Sequence, residues 1–285
     1  MTDWVEETLY PDFRLKLRAT RVLHESRTGS HHLQIIENPT FGRTLYLDGV
    51  LQTTEKDEFI YHEMLTHLPV LAHGHARRVL IIGGGDGGML EEVLKHPSVE
   101  HVTMVEIDPG VVDMAKAHLP SICGRAFEDP RLELVFADGS EFVRDTAARF
   151  DVAIIDSTDP IGPGEALFTR RFYEGCRRAL APGGVLVTQN GVPFMQPGEL
   201  AGTLAILRRL FADASCYLAT VPTYVGGPMA FGFASDDPSC RRASLGMLQA
   251  RFAAADIATR YYTPEVHRAA FALPAYVRHL IEQAA

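Results

Sequence analysis

Four acids recur at the ends of short apolar runs, and a fifth lies just beyond the last of them. Asp86 sits in Ile81-Ile82-Gly83-Gly84-Gly85-Asp86-Gly87-Gly88. Glu106 follows the run 102–105, Asp138 follows 132–137, Asp156 follows 152–155, and Asp159 comes three residues later. Carboxylates in such places accept hydrogen bonds from hydroxyls and amines, attract cations, and can take a proton from a nucleophile. Each acid alone also fits a local role: Asp138 before Gly139 as a turn residue, Asp159 before Pro160 as an Asx-turn, Glu106 as a helix cap. Five together, each tied to a strand end, point to one acidic crevice, because ligands of an open parallel sheet bind at the carboxyl ends of its strands.

The spacing narrows the ligand. A glycine loop between strand and helix lets backbone approach a nucleotide-like group, and Gly83 and Gly85 are its candidate contacts. Glu106, twenty residues beyond Asp86, is placed to accept from both ribose hydroxyls. Asp138 is then placed to accept from an adenine amine. An adenosine is therefore expected, and Asp86 restricts what it carries. A pyrophosphate, as in NAD, would face like-charge repulsion from Asp86. The methionine end of S-adenosylmethionine would bring its ammonium within reach but its carboxylate too near. Decarboxylated S-adenosylmethionine, with adenosine, sulfonium and amine but no acid, has neither conflict.

The elements that must carry these residues follow from periodicity. Residues 13–54 alternate in short segments broken by turn residues, and Asp48-Gly49 between Leu47 and Val50 is a two-residue hairpin signal. A small antiparallel β unit is expected, packed on the main domain or on another subunit. Asp57 is the expected N-cap of an amphipathic helix ending before Pro69. Tyr61 and His62 are adjacent on it, so at most one is expected to point into the core. From Arg77, strands at 79–82, 102–105, 132–137, 152–155 and 185–189 alternate with helices, which predicts a parallel sheet covered on both faces. Residues 230–234 fit an antiparallel edge of that sheet. The fold class is α/β: a Rossmann-like, methyltransferase-like doubly wound sheet, residues 57–285, with a small N-terminal antiparallel β domain, residues 1–56.

Composition adds exclusions. The 285 residues carry a formal charge of −9, with 46% hydrophobic and 22% charged residues. Nothing in that balance favours nucleic acid or an anionic membrane as partner. The N-terminal residues lack the basic and apolar regions of a signal peptide, and no apolar run is long enough to span a bilayer, so a cytoplasmic location is expected. Cys123, Cys176, Cys216 and Cys240 show no C-x-x-C spacing, so neither zinc site nor disulfide framework is expected. His73 and His75 read as solvated loop residues before the glycine-loop strand.

Beyond these local readings, the chain resembles the spermidine synthase family of polyamine aminopropyltransferases, in its bacterial form. The resemblance is carried by the glycine loop 81–88, by Val105-Glu106-Ile107-Asp108, by Asp156-Ser157-Thr158-Asp159-Pro160-Ile161-Gly162-Pro163, and by Asp57-Glu58-Phe59-Ile60-Tyr61-His62-Glu63-Met64. Val221-Pro222-Thr223-Tyr224, Tyr261-Tyr262 and the segment 266–274 add to it, so essentially the whole chain is covered. The resemblance implies transfer of an aminopropyl group from decarboxylated S-adenosylmethionine, a co-substrate, to putrescine, with no cofactor and no metal. It implies that Asp156 is the general base, Asp86 holds the aminopropyl amine, Glu106 the ribose, and Asp138 with Gly139 borders the adenine, Pro163 lying beside the adenosyl group. Asp159, Tyr61, His62, Gln52 and Tyr224 match positions lining the polyamine channel, while His267 reads as structural. Where the family commonly has a glutamine that contacts the nucleoside, this chain has His31, with Gln34 three residues on, and either could make the contact. A homodimer or homotetramer is implied. Alternatives of the same class are another acceptor (cadaverine, agmatine or spermidine) or an amine N-methyltransferase; an NAD-dependent dehydrogenase is the alternative of a different class.

Overall fold

The computed structural model describes residues 3–160 and 162–283, without the side chains of Asp3 and Pro163. Six strands come first: β1 (Asp3–Glu6), β2 (Lys16–Ala19), β3 (Arg21–Arg27), β4 (His32–Asn38), β5 (Gly42–Leu47) and β6 (Val50–Thr54). β1 and β2 form an antiparallel pair, and β3 to β6 form a four-stranded meander. Asp48 and Gly49 both take positive φ, 51° and 80°, as a tight turn matching the strand twist requires. The meander is covered on both faces. Leu17, Ala19, Ile36, Tyr46 and Leu51 close one side, while Leu33, Ile35, Leu45 and Leu47 pack on Val111 and Met114 of the helix Pro109–His118. The small unit thus gains a core from the larger one.

The larger unit is built on β7 (Arg78–Gly83), β8 (His101–Glu106), β9 (Leu132–Phe136), β10 (Phe150–Asp156), β11 (Leu180–Gln189), β12 (Asp213–Ala219) and β13 (Met229–Ser235). They lie in the order β12-β13-β11-β10-β7-β8-β9, parallel from β11 to β9 and antiparallel at β13 and β12. The sequence therefore located the antiparallel region but not its rim. Residues 230–234 belong to an inner strand, and β12 is the edge. Alternate residues of β7 enter different cores: Val79 and Ile81 face the helix Glu58–His73, Leu80 and Ile82 face the helices on the other side. Winding runs outward in both directions from β7 and β10, so the chain reverses between these two strands. A crevice opens there by necessity.

Four local expectations are corrected. The helix from Glu58 passes through Pro69 and ends at His73, with Gly74 as a left-handed cap at φ 85°. A proline inside a helix loses one hydrogen bond and costs ~3 kcal/mol, but every residue from Ile60 to Ala72 is buried, and that burial holds the helix together. His73 accordingly lies in the helix's last turn and not in a loop. For the same reason Tyr61 and His62 are both buried, at 7% and 1% exposure: an all-round buried helix has no solvent face to which one of them could turn. Asp57 occupies the N-cap position without capping. Its carboxylate instead accepts from Thr54 Oγ1 at 2.6 Å and from the Thr223 N–H and hydroxyl at 2.8 Å each. The four cysteines are buried and unbridged. No helix among the described residues is long and apolar enough to cross a membrane.

Candidate active site

The strand order lays the acids out along one crevice. From β9 through β8, β7 and β10 to β11, its floor presents Asp138, Glu106, Asp86, Asp156 and Gln189 in turn. The β-meander and the segment before it close the other side with His31, Gln52, Glu7 and Tyr10. Among the described residues that line it there are six carboxylates and no lysine or arginine.

Close approach explains the glycines. A Cβ on Gly83, at φ 85°, would collide with the Asp156 carbonyl. One on Gly85 would stand 2.7 Å from Val111 and 2.9 Å from Glu106 Oε2. The pairing of Asp156 with Gly83 across β10 and β7 therefore tolerates no side chain on the loop. Gly139 abuts Ile82 in the same way, at the floor beside Asp138.

On the β8–β9 side, Glu106 is 6% exposed and accepts from the Asp108 N–H at 2.9 Å. Burial pushes its carboxyl up to about 7, against the opposing pull of that bond and of His31. Asp138 also does local work: Oδ1 accepts from the N–H groups of Ser140 and Glu141 at 2.7 and 3.2 Å, capping the helix Gly139–Asp145. It lines the crevice at the same time. His31 lines it as well, with Nδ1 3.1 Å from Asp108 Oδ2 in a turn closed by Thr28. Gln34 is not among the lining residues. It lies within β4 opposite Tyr46, out of phase with Leu33 and Ile35. Ile161 and the Pro163 side chain lie outside the described residues.

At the centre, His62 is held between two carboxylates, with Nδ1 2.8 Å from Glu58 Oε2 and Nε2 3.5 Å from Asp86 Oδ2. Burial works against a charge on its ring, but Asp86 and Glu58 outweigh it and hold the imidazole pKa well above the usual range. Asp86 Oδ1 accepts from the Gly88 N–H at 3.0 Å. Asp156 accepts from the Tyr61 hydroxyl at 2.6 Å. Its carboxyl is pushed up to about 6 by burial and then by the charge of Asp86, with His62 and Tyr61 opposing. One ligand atom each from His62, Asp86 and Asp156 lies within 4.8 Å of the others. The two carboxylates of this cluster can attract a cationic amine, with His62 already set against Asp86.

Aromatic walls complete it. The rings of Tyr61 and Tyr224 meet edge to face at 6.0 Å, and the Tyr224 hydroxyl donates to the Gln52 carbonyl. Asp57, through Thr223, fixes the turn that presents Tyr224. Asp159, on the β11 side, accepts from Gln196 Nε2 at 2.6 Å, and burial raises its carboxyl. His267 is buried against the Tyr262 hydroxyl at 2.9 Å and does not line the crevice. Sequence reasoning missed Glu58, Glu7, Tyr10, Gln189 and Gln196. Gln189 had a signal, since it ends a strand located from its apolar run, but a neutral amide does not register in a search for acids. Glu7 and Tyr10 precede any periodic segment and have none.

A family profile described as the spermine/spermidine synthase domain matches residues 58–244, and one described as the spermidine synthase tetramerisation domain matches residues 3–55. The chain is 59% identical over 277 residues to the polyamine aminopropyltransferase of Ruegeria sp. strain TM1040, covering 97% of this chain and 98% of that one. It is 53% identical over 272 residues to that of Escherichia coli O157:H7, covering 95% and 94%. A crystal structure of spermidine synthase in complex with the transition state analogue AdoDATO superposes with a TM-score of 0.94 at 38% identity, over 99% of this chain and 95% of that one. The Thermotoga maritima spermidine synthase gives 0.90 at 36%, over 98% and 94%. With profile, relatives and solved structures agreeing along its length, the chain belongs to the spermine/spermidine synthase family of aminopropyltransferases.

Proposed function

We propose that the chain transfers the aminopropyl group of decarboxylated S-adenosylmethionine to putrescine, giving spermidine and 5′-methylthioadenosine. The observation that carries this reading is the charge of the crevice, six carboxylates with no lysine or arginine among its described lining residues. Such a site welcomes an adenosyl sulfonium with an amine tail and a cationic acceptor, and it repels a carboxylate or a pyrophosphate.

In this reading Glu106 accepts from the ribose hydroxyls, and Asp138 and Gly139 border the adenine. Gly83 and Gly85 let the backbone close on the nucleoside, and His31 makes the contact from the N-terminal unit. Asp86, braced by His62, takes the aminopropyl ammonium. Asp156 and Asp159 hold the acceptor, whose methylenes run past Tyr61, Tyr224 and Gln52.

The chemical difficulty lies with the nucleophile. An alkylammonium of pKa ~10.4 has no free lone pair at neutral pH, so Asp156 must take a proton from it. The freed nitrogen attacks the propyl carbon next to sulfur. The C–S bond pair goes to sulfur, which leaves as a neutral thioether, and the new C–N bond leaves a secondary ammonium. Raising the Asp156 carboxyl toward neutrality makes it a better proton acceptor for this step.

The reading carries with it two units, residues 1–56 and 57–285, a homodimer or homotetramer joined through the N-terminal β unit, and a cytoplasmic location. The test is incubation with decarboxylated S-adenosylmethionine or S-adenosylmethionine and a panel of amines, followed by mass analysis. A gain of one aminopropyl group on putrescine is expected. A gain of a methyl group, or no product with any diamine, would overturn the reading.

A further inference from the structure

Beyond Asp156 the crevice ends on an amide that the transfer step does not use. Gln196 immediately precedes the helix Pro197–Leu210. Its Oε1 accepts from the Tyr10 hydroxyl at 3.1 Å and from the Val192 N–H at 3.2 Å. Its Nε2 donates to Asp159 Oδ1 at 2.6 Å and to Glu199 Oε2 at 3.3 Å. Two donors on one side and two carboxyls on the other admit only one orientation of the amide. Three segments far apart in sequence, at residues 10, 159 and 192–199, are tied together by one side chain.

The location is at the acceptor's end. Gln196 follows β11, one strand further from the donor half than Asp156, and it lines the same crevice. Glu7 and Tyr10 line the crevice together with Asp159 and Gln196, and the negative charge of Asp159 reaches both of them and Glu199. Burial disfavours the ionised form of Asp159, and the Gln196 amide opposes that. A lysine or arginine could anchor the carboxylate equally well but would repel a bound ammonium. A neutral donor anchors it without spending the attraction. Glu199 stands behind, its Oε1 buried and without a hydrogen-bond partner among the described residues, and braces the amide from outside the crevice.

We infer that Gln196, braced by Glu199 and Tyr10, is a positioning residue that fixes the Asp159 carboxylate and so sets the length of amine the enzyme accepts. The inference rests on the proposed aminopropyl transfer to a diamine. With one nitrogen at Asp156, the rest of the diamine extends toward Asp159, and a carboxylate held at one place matches one chain length. Released, it would follow acceptors of several lengths and hold each less well.

The test is steady-state kinetics of the full-length wild type and Gln196→Met with three-, four- and five-carbon diamines at saturating decarboxylated S-adenosylmethionine, with donor affinity measured separately by calorimetry. The expected result is an acceptor KM raised about tenfold for the preferred diamine. The kcat/KM ratio between preferred and other diamines falls at least fivefold, while donor affinity stays within twofold. If Gln196→Met does not fold, as judged by its thermal unfolding, Tyr10→Phe removes one anchor with little change of shape. It is expected to raise the same KM about threefold and to lower the same ratio. Unchanged diamine ratios in the folded variant overturn the inference and leave the proposed function standing. A wild type that turns over no diamine overturns both.

Discussion

The Tyr61 hydroxyl donates to Asp156 Oδ1 at 2.6 Å, so one oxygen of the proposed base is engaged before any amine arrives. Oδ2 faces the glycine loop, 3.0 Å from where a Cβ on Gly84 would stand. This bond favours the ionised carboxylate and opposes the burial that lifts it to about 6. Removing it in Tyr61→Phe leaves the base harder to ionise. The acid limb of the kcat/KM profile, which falls as pH drops through the Asp156 pKa, is expected to move to higher pH by roughly half to one unit. A profile measured from pH 5 to 9 checks this, and an unmoved limb would separate Tyr61 from the base.

Asp156 itself carries the proton transfer in this account. Asp156→Asn keeps shape and much of the hydrogen bonding but cannot take the proton. Turnover is expected to fall by roughly two orders of magnitude or more, with donor affinity within a few-fold of wild type. Rapid-quench measurement of methylthioadenosine formation reads the chemical step directly. Near-normal turnover would assign the base elsewhere.

Glu106 gives a pH dependence of a different origin. Burial raises its carboxyl to about 7 in the free enzyme, whereas the proposed contact with the two ribose hydroxyls needs the ionised form as acceptor. Below pH 7 the free enzyme holds the proton and must release it on binding, so affinity for methylthioadenosine is expected to weaken as pH falls, approaching tenfold per unit. Calorimetry at pH 6 and 8 should show proton release at the lower value. Glu106→Gln is expected to bind weakly with little pH dependence, and a wild-type affinity unchanged across this range would remove Glu106 from the ribose.

The layout of the crevice was largely legible in the sequence because its logic is one-dimensional. An apolar run, a glycine loop or turn, and an acid repeat at 86, 106, 138 and 156, and parallel winding brings every strand end to one edge. What was not legible depends on contacts between distant segments. Asp57 reads as a cap from its neighbours alone, yet its partners are Thr54 and Thr223. Tyr61 and His62 cannot share one helical face, yet both are buried because the helix is enclosed on all sides. Gln34 and His31 were equal candidates by type, and the phase of β4 separates them: Gln34 pairs with Tyr46 inside the strand while the turn at Thr28 carries His31 to the crevice. Glu58 behind His62, and Gln196 behind Asp159, act through another residue, and no local pattern marks such a role.

In the proposed reaction Asp86 selects the donor by charge, and the direct test is to compare calorimetric affinities for decarboxylated S-adenosylmethionine and S-adenosylmethionine. The wild type is expected to favour the decarboxylated form by about a hundredfold or more, equivalent to about 2.7 kcal/mol. In Asp86→Asn that preference is expected to shrink at least tenfold, mainly through weaker binding of the decarboxylated donor. Equal affinity of the wild type for the two donors, or a preference that survives the substitution intact, would contradict the account.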